Sequence, residues 1–190
     1  MIVLNIRSTV LRYDFSFFAV MAIFFFFDKD GTGAVSLLTC GLHELGHLVA
    51  MLICGAPLNG ILFYGAGIRI SSELRRCTAP QRLMIYAAGC AVNLILAAFA
   101  YLMGAYLFSA VNLITGIFNL LPLGELDGAA ILAVISERYG RAALLLGIVR
   151  AVTFSVLAGG ITVLFLVSGE IGVTFFLTMT YLLILMILSG

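Results

Sequence analysis

The sequence predicts an all-α polytopic membrane protein, with about six transmembrane helices and a short re-entrant β-hairpin after the second. Three observations carry that expectation. The first is composition: 63% of the 190 residues are hydrophobic and only 10% are charged, with a mean hydropathy of +1.21. A water-soluble domain carries charge at about a quarter of its positions, so this chain has too few polar side chains to cover a globule in water. The second is a succession of apolar runs long enough to cross a bilayer. The third is the way arginines alternate between the loops that join those runs. No polar linker or internal repeat separates two folded units. Residues 1–190 are therefore expected to form a single transmembrane domain, with a core at 15–135 and two additional helices at 142–188.

A crossing helix needs about 20 predominantly apolar residues. Such runs lie near Phe15–Phe27, Ala34–Cys54, Leu83–Phe108, Val111–Ile135, Ala142–Val167 and Ile171–Leu188. The first is short and stops at Asp28-Lys29-Asp30-Gly31. Arg7 and Arg12 precede it as basic residues precede a signal peptide, but no small-residue cleavage site follows, so it is expected to be a retained span. Pro57–Ile70 is too short to cross as a helix. Its β-branched and aromatic residues, with Gly65 and Gly67, predict a hairpin or re-entrant strand pair against the bundle. In the fourth run Pro122 and Gly124 interrupt the helix just before Glu125-Leu126-Asp127-Gly128. A helix broken at membrane depth is tolerated only where it faces protein or a wet cavity.

The arginines orient the bundle. Arg7 and Arg12, then Arg69, Arg75, Arg76 and Arg82, then Arg138 and Arg141 fall in alternate loops, whereas the others hold Asp28, Lys29, Asp30 and Glu170. Basic loops stay cytoplasmic, so both termini are expected inside. Arg150 is expected to reach back to the interface. A single lysine and no basic stripe exclude a nucleic-acid partner. Cys40, Cys54, Cys77 and Cys90 stand singly; they read as small apolar packing residues and do not argue for an oxidising compartment.

The chemistry concentrates in His43-Glu44-Leu45-Gly46-His47, which holds the two histidines of the sequence. A separation of four brings both rings onto one helix face, about 6 Å apart along the axis. Two imidazoles so placed can share one zinc ion, with the intervening glutamate beside the open coordination position. For this composition, chance assembly of the pattern is improbable, about one in two thousand. Glu44 also falls at the centre of an apolar span, ~15 Å from either end. An ionisable side chain at that depth marks a functional site.

Catalytic zinc takes three protein ligands and leaves a fourth position open. With both histidines used, the third ligand must be an acid or a thiol. Asp127 and Glu125 are the other carboxylates inside an apolar span, and Gly128 would let the backbone turn the Asp127 carboxylate into the bundle. Glu125 reads better as a residue facing a wet cavity than as a ligand. Cys40, three residues before His43, is a rival that closes a tetrahedron poorly from the same helix.

Three separated motifs then resemble the site-2 protease family of intramembrane zinc metalloproteases. They are His43–His47; Ala88-Gly89-Cys90-Ala91-Val92-Asn93, similar to the family's glycine-then-asparagine motif; and Asn119-Leu120-Leu121-Pro122 leading to Leu126-Asp127-Gly128, similar to its N-x-x-P…LDG signature. The resemblance runs from Phe15 to Ile135. Cys90 stands where a proline is common, and Ala129 replaces a frequent glycine; neither position contacts zinc in the family.

The resemblance implies that His43, His47 and Asp127 bind zinc and that Glu44 is the general base. It also implies that Asn93, Gly89 and Asn119 position the substrate, while the Pro57–Ile70 element holds it as an added strand. The implied activity is that of a zinc metalloendopeptidase cutting peptide bonds within or next to transmembrane segments of membrane-tethered proteins. The implied setting is the bilayer of a bacterial cytoplasmic membrane, with a regulatory membrane partner compatible. Lack of a PDZ insertion makes the chain similar to the compact, sporulation-type branch. A zinc membrane protease of another family with a cytosol-facing site, a metal carrier, and a non-catalytic scaffold are the competing readings.

Overall fold

A computed structural model gives the fold and describes residues 1–6, 9–65, 67–124 and 126–137, then 144, 147–149, 151–156, 159–160 and 162. It divides into two units, Met1–Ile117 and Phe118–Gly190. In the first unit, β1 (Ile2–Ile6) and β2 (Thr9–Tyr13) precede α1 (Phe15–Phe27) and α2 (Thr32–Cys54). Then come β3 (Leu58–Tyr64), β4 (Gly67–Ser72), a 3-10 turn at Leu74–Arg76, α3 (Ala79–Leu102) and α4 (Tyr106–Asn119), whose last residues enter the second unit. In the second unit α5 spans Asp127–Glu137.

Local chemistry sets the helix ends. Asp14 caps α1 by accepting from the Ser16 N–H at 2.8 Å, and the bonds from Ser16 hold its carboxyl below the ordinary aspartate range. α2 stops at Gly55, whose φ of 64° is left-handed. α3 opens with Pro80 in its first turn. Gln81 ties these two ends together: its Oε1 accepts from the Thr78 N–H at 2.9 Å, and its Nε2 donates to the Cys54 carbonyl at 3.3 Å.

Among the described residues, α2 and α3 are long and apolar enough to cross a membrane. The expected third span, Leu83–Phe108, ends at Leu102; the chain turns at Gly104, where φ is 78°, and Tyr106–Phe108 begin α4. The expected fourth span, Val111–Ile135, is two helices, α4 and α5, separated where Pro122 removes a backbone donor and Gly124 takes a φ of 54°. The expected Ala142–Val167 span lies partly, and Ile171–Leu188 wholly, outside the described residues.

The all-α expectation needs correcting for the sheet. The anticipated hairpin exists as β3 and β4, but it belongs to a four-stranded sheet of order β1-β2-β3-β4. The N-terminal residues, read from the sequence only as a basic flank, form an antiparallel pair, and β2 joins β3 in parallel with Val10 opposite Gly60 and Tyr13 opposite Phe63. β3 and β4 are antiparallel, with an irregularity between Leu58 and Gly60. Stacking of Tyr13 on Phe63, centroids 4.5 Å apart, and the Asp14 N–H bond to the Phe63 carbonyl at 2.8 Å seat the start of α1 against the sheet.

In the first unit α2 buries Thr39, His43, Gly46, His47 and Ala50, a helical stripe. Packing is close because Gly46 has no side chain: a Cβ there would sit 2.9 Å from the Ala88 carbonyl oxygen and from Val92 Cγ2. α4 is fixed by two buried polar contacts: Ser109 Oγ donates to the Ala97 carbonyl at 2.7 Å, and Asn112 Nδ2 donates to Thr39 Oγ1 at 3.2 Å. Outward, Leu45, Val49, Leu52 and Ile53 of α2 and Ile95, Phe99 and Leu102 of α3 are exposed. An apolar surface of that kind suits lipid.

Candidate metal centre and groove

His43 and His47 sit one turn apart on the stripe of α2 that faces α3, 5% and 8% exposed. Their Nε2 atoms are 3.1 Å apart. Two nitrogens held about 2.05 Å from a tetrahedral zinc would lie about 3.3 Å apart, so the observed spacing is that of two ligands on one ion. His47 is also oriented from behind. Its Nδ1 lies 2.8 Å from the carbonyl oxygen of Ile85. A carbonyl can only accept, so Nδ1 carries the proton and Nε2 keeps its lone pair, the tautomer a metal requires.

α3 supplies the wall opposite the imidazoles. Gly89 is buried there, and a Cβ on it would fall on His47 Nε2 and lie 2.7 Å from both Nε2 and Cε1 of His43. The space beside the two nitrogens therefore exists because residue 89 lacks a side chain. Neighbouring Cys90 is 2% exposed and forms no disulfide. Its Sγ and a ring nitrogen of His43 lie within 4.8 Å of each other. The reading of Cys90 as mere packing overlooked this approach. No signal in the sequence set it apart from a packing residue, because the approach is made between two helices. Cys40 is exposed on α2.

Asn93 lies one turn beyond Gly89 and is fully buried, 0% exposed. Neither its Nδ2 nor its Oδ1 has a hydrogen-bond partner among the described residues. A buried amide left in that state costs about 1–3 kcal/mol. Gly116 of α4 packs beside it, where a Cβ would be 3.3 Å from that of Asn93.

Glu44, between the two histidines in sequence, is half-buried and lines a cavity of about 500 Å³ between α2 and the sheet. Leu37, Leu38, Gly41, Leu42, Leu45 and Leu48 form one wall, and Ile61, Phe63, Ile68 and Ile70 form the other. Alternation along β4 turns Ile68 and Ile70 inward and leaves Arg69 and Ser71 exposed. The result is an apolar groove with one carboxylate on its wall, flanked by a strand.

In the second unit, Asn119 ends α4 and Asp127 opens α5 as a half-buried residue. Between them the chain folds tightly, with Leu121 N–H bonding the Phe118 carbonyl and Leu126 N–H the Leu123 carbonyl, both at 3.1 Å. The backbone turn expected at Gly128 is not there, since Gly128 is helical; the left-handed residue of this stretch is Gly124. Gly128 serves contact instead: a Cβ there would strike the Leu120 carbonyl and lie 2.7 Å from the Leu121 oxygen. Glu125 lies outside the described residues.

No family model matches the sequence, and no curated protein does. A solved structure does match: a site-2 protease from Methanocaldococcus jannaschii superposes with a TM-score of 0.63 at 20% identity, covering 99% of this chain and 94% of that one. The chain thus has a site-2 protease fold, as its three motifs led one to expect.

Proposed function

We propose that this chain is an intramembrane zinc metalloendopeptidase of the site-2 protease family, hydrolysing peptide bonds within or next to transmembrane segments of membrane-tethered proteins. The observation that carries the reading is the pair of imidazole nitrogens 3.1 Å apart beside Gly89, on the helix whose Glu44 opens onto an apolar groove. The donor set fits zinc: two buried imidazoles, one with its lone pair fixed by a backbone carbonyl, and a space that a Cβ would fill. In this reading Asp127 supplies the third ligand. Zinc, when bound, makes a strong nucleophile of water at neutral pH.

The remaining work falls to the chain's own groups. Glu44 accepts the proton from the attacking water and delivers it to the leaving amine. The leucines and isoleucines of the groove hold an apolar segment and exclude bulk water. A helical substrate hides its carbonyls in its own hydrogen bonds, so it must unwind before attack. β3 is paired on both sides, by β2 and by β4, so an added substrate strand takes the outer edge of β4 and regains part of the bonds lost. Asn93 offers its unsatisfied amide to the same strand, and Asn119 helps shape its path.

The test is cleavage of a co-expressed membrane-tethered substrate in isolated membranes or liposomes, compared between wild type and Glu44→Gln. Cleavage by the wild type that Glu44→Gln abolishes, with zinc retained in both, supports the reading. A Glu44→Gln variant that cleaves as the wild type does, or cleavage by wild type stripped of its zinc, refutes it.

A further inference from the structure

We propose that Cys90 is a fourth protein ligand of the zinc, making the resting centre a closed site that must release the thiolate before it can cut. The inference rests on the metallopeptidase reading and adds a residue to it. A tetrahedral ion with a thiolate at about 2.3 Å and an imidazole nitrogen at about 2.05 Å holds those atoms about 3.6 Å apart. Cys90 Sγ and the His43 nitrogen lie within 4.8 Å before any ion is added, so a movement on the order of 1 Å completes the bond.

Position and surroundings agree. Cys90 follows Gly89, the residue whose missing side chain lets α3 approach both imidazoles. At 2% exposure, it lies on the buried face of α3 with Gly89 and Asn93. Thiolate is the softest donor near the pair and binds zinc readily. Coordination releases the thiol proton to solvent, and opening returns one to the sulfur, so no redox partner is needed.

The consequence is chemical. Catalytic zinc sites keep one position open, whereas sites with four protein ligands are closed and structural. With His43, His47, Asp127 and Cys90 all bound, the position required by water and the scissile carbonyl is filled. Substrate seated in the groove, or a partner that shifts α3, would then have to displace the sulfur. Latency of this kind protects a membrane protease from cutting at random.

The full chain in detergent micelles, loaded with cobalt(II) in place of zinc, reads this directly. One cobalt per chain with a sulfur-to-cobalt charge-transfer band in the near ultraviolet is expected. The band should vanish in Cys90→Ser, which still binds cobalt, and persist in Cys40→Ser. Release of the metal to a chelator should be tenfold or more faster in Cys90→Ser. X-ray absorption at the zinc edge of the wild type needs no variant and should show sulfur at about 2.3 Å. Bound metal with neither the band nor a sulfur shell overturns the inference and leaves the protease reading intact, as does a band that survives Cys90→Ser. A wild type that takes up neither metal overturns both.

Discussion

Gly89→Ala tests the metal centre most sharply, because the perturbation is one methyl group. In the present geometry that methyl carbon would lie 2.7 Å from His43 Nε2, where ordinary contact begins at 3.4 Å. The imidazole must therefore retreat by about 0.7 Å, and His47 by more. Metal–ligand distances tolerate only about 0.2 Å. Overpacking of a filled interior costs about 1–3 kcal/mol, which, expressed at the ion, weakens zinc binding by roughly 5- to 150-fold. Zinc affinity is measured on purified protein by competition with a chromophoric chelator, and metal content by mass spectrometry. Gly41→Ala is the control: it lies on α2, the helix that carries both histidines, and a Cβ there meets nothing within 4 Å. Wild-type zinc affinity in Gly89→Ala would show that the ion does not sit between α2 and α3 as argued.

Other consequences follow from the same geometry. Glu44→Gln should keep its zinc and lose about 10²- to 10⁴-fold in cleavage rate, read by single-turnover assay on a tethered substrate. Asp127→Ala should weaken zinc retention at least about tenfold while Glu125→Ala does not; equal retention in both would place the third ligand elsewhere. Ile68→Asp puts a charge into the apolar groove beside Glu44, and should depress cleavage without changing metal content. Gln81→Ala removes acceptor and donor from the ends of α3 and α2. It should cost about 1–2 kcal/mol, measured as a lowered thermal midpoint, with zinc affinity untouched. Helix-breaking residues introduced near the scissile bond of a substrate should speed its cleavage; a series with no such trend would count against unwinding at the sheet edge.

Much of the site was written in short stretches of sequence, because its geometry is local. His43 and His47 must share a helix face at a spacing of four, whatever surrounds them. Glu44 had to lie deep in an apolar segment, and Pro122 with Gly124 had to break the helix before Asp127. Composition alone called for lipid, and the ends of α1 agree with those read from the apolar run.

Tertiary structure decided what depends on chain segments far apart. β2 finds β3 some fifty residues on, as Val10 meets Gly60, so an N-terminal stretch read as a basic flank becomes half of a sheet. Cys90 is an ordinary apolar residue in the sequence, and its Sγ comes within 4.8 Å of a His43 ring nitrogen only because Gly46 and Gly89 let α2 and α3 close together. Gly128, expected to turn the chain, instead lets α5 meet the carbonyls of Leu120 and Leu121. Periodicity and spacing fix which groups share one helix; the packing of one helix on another fixes which groups share one ion.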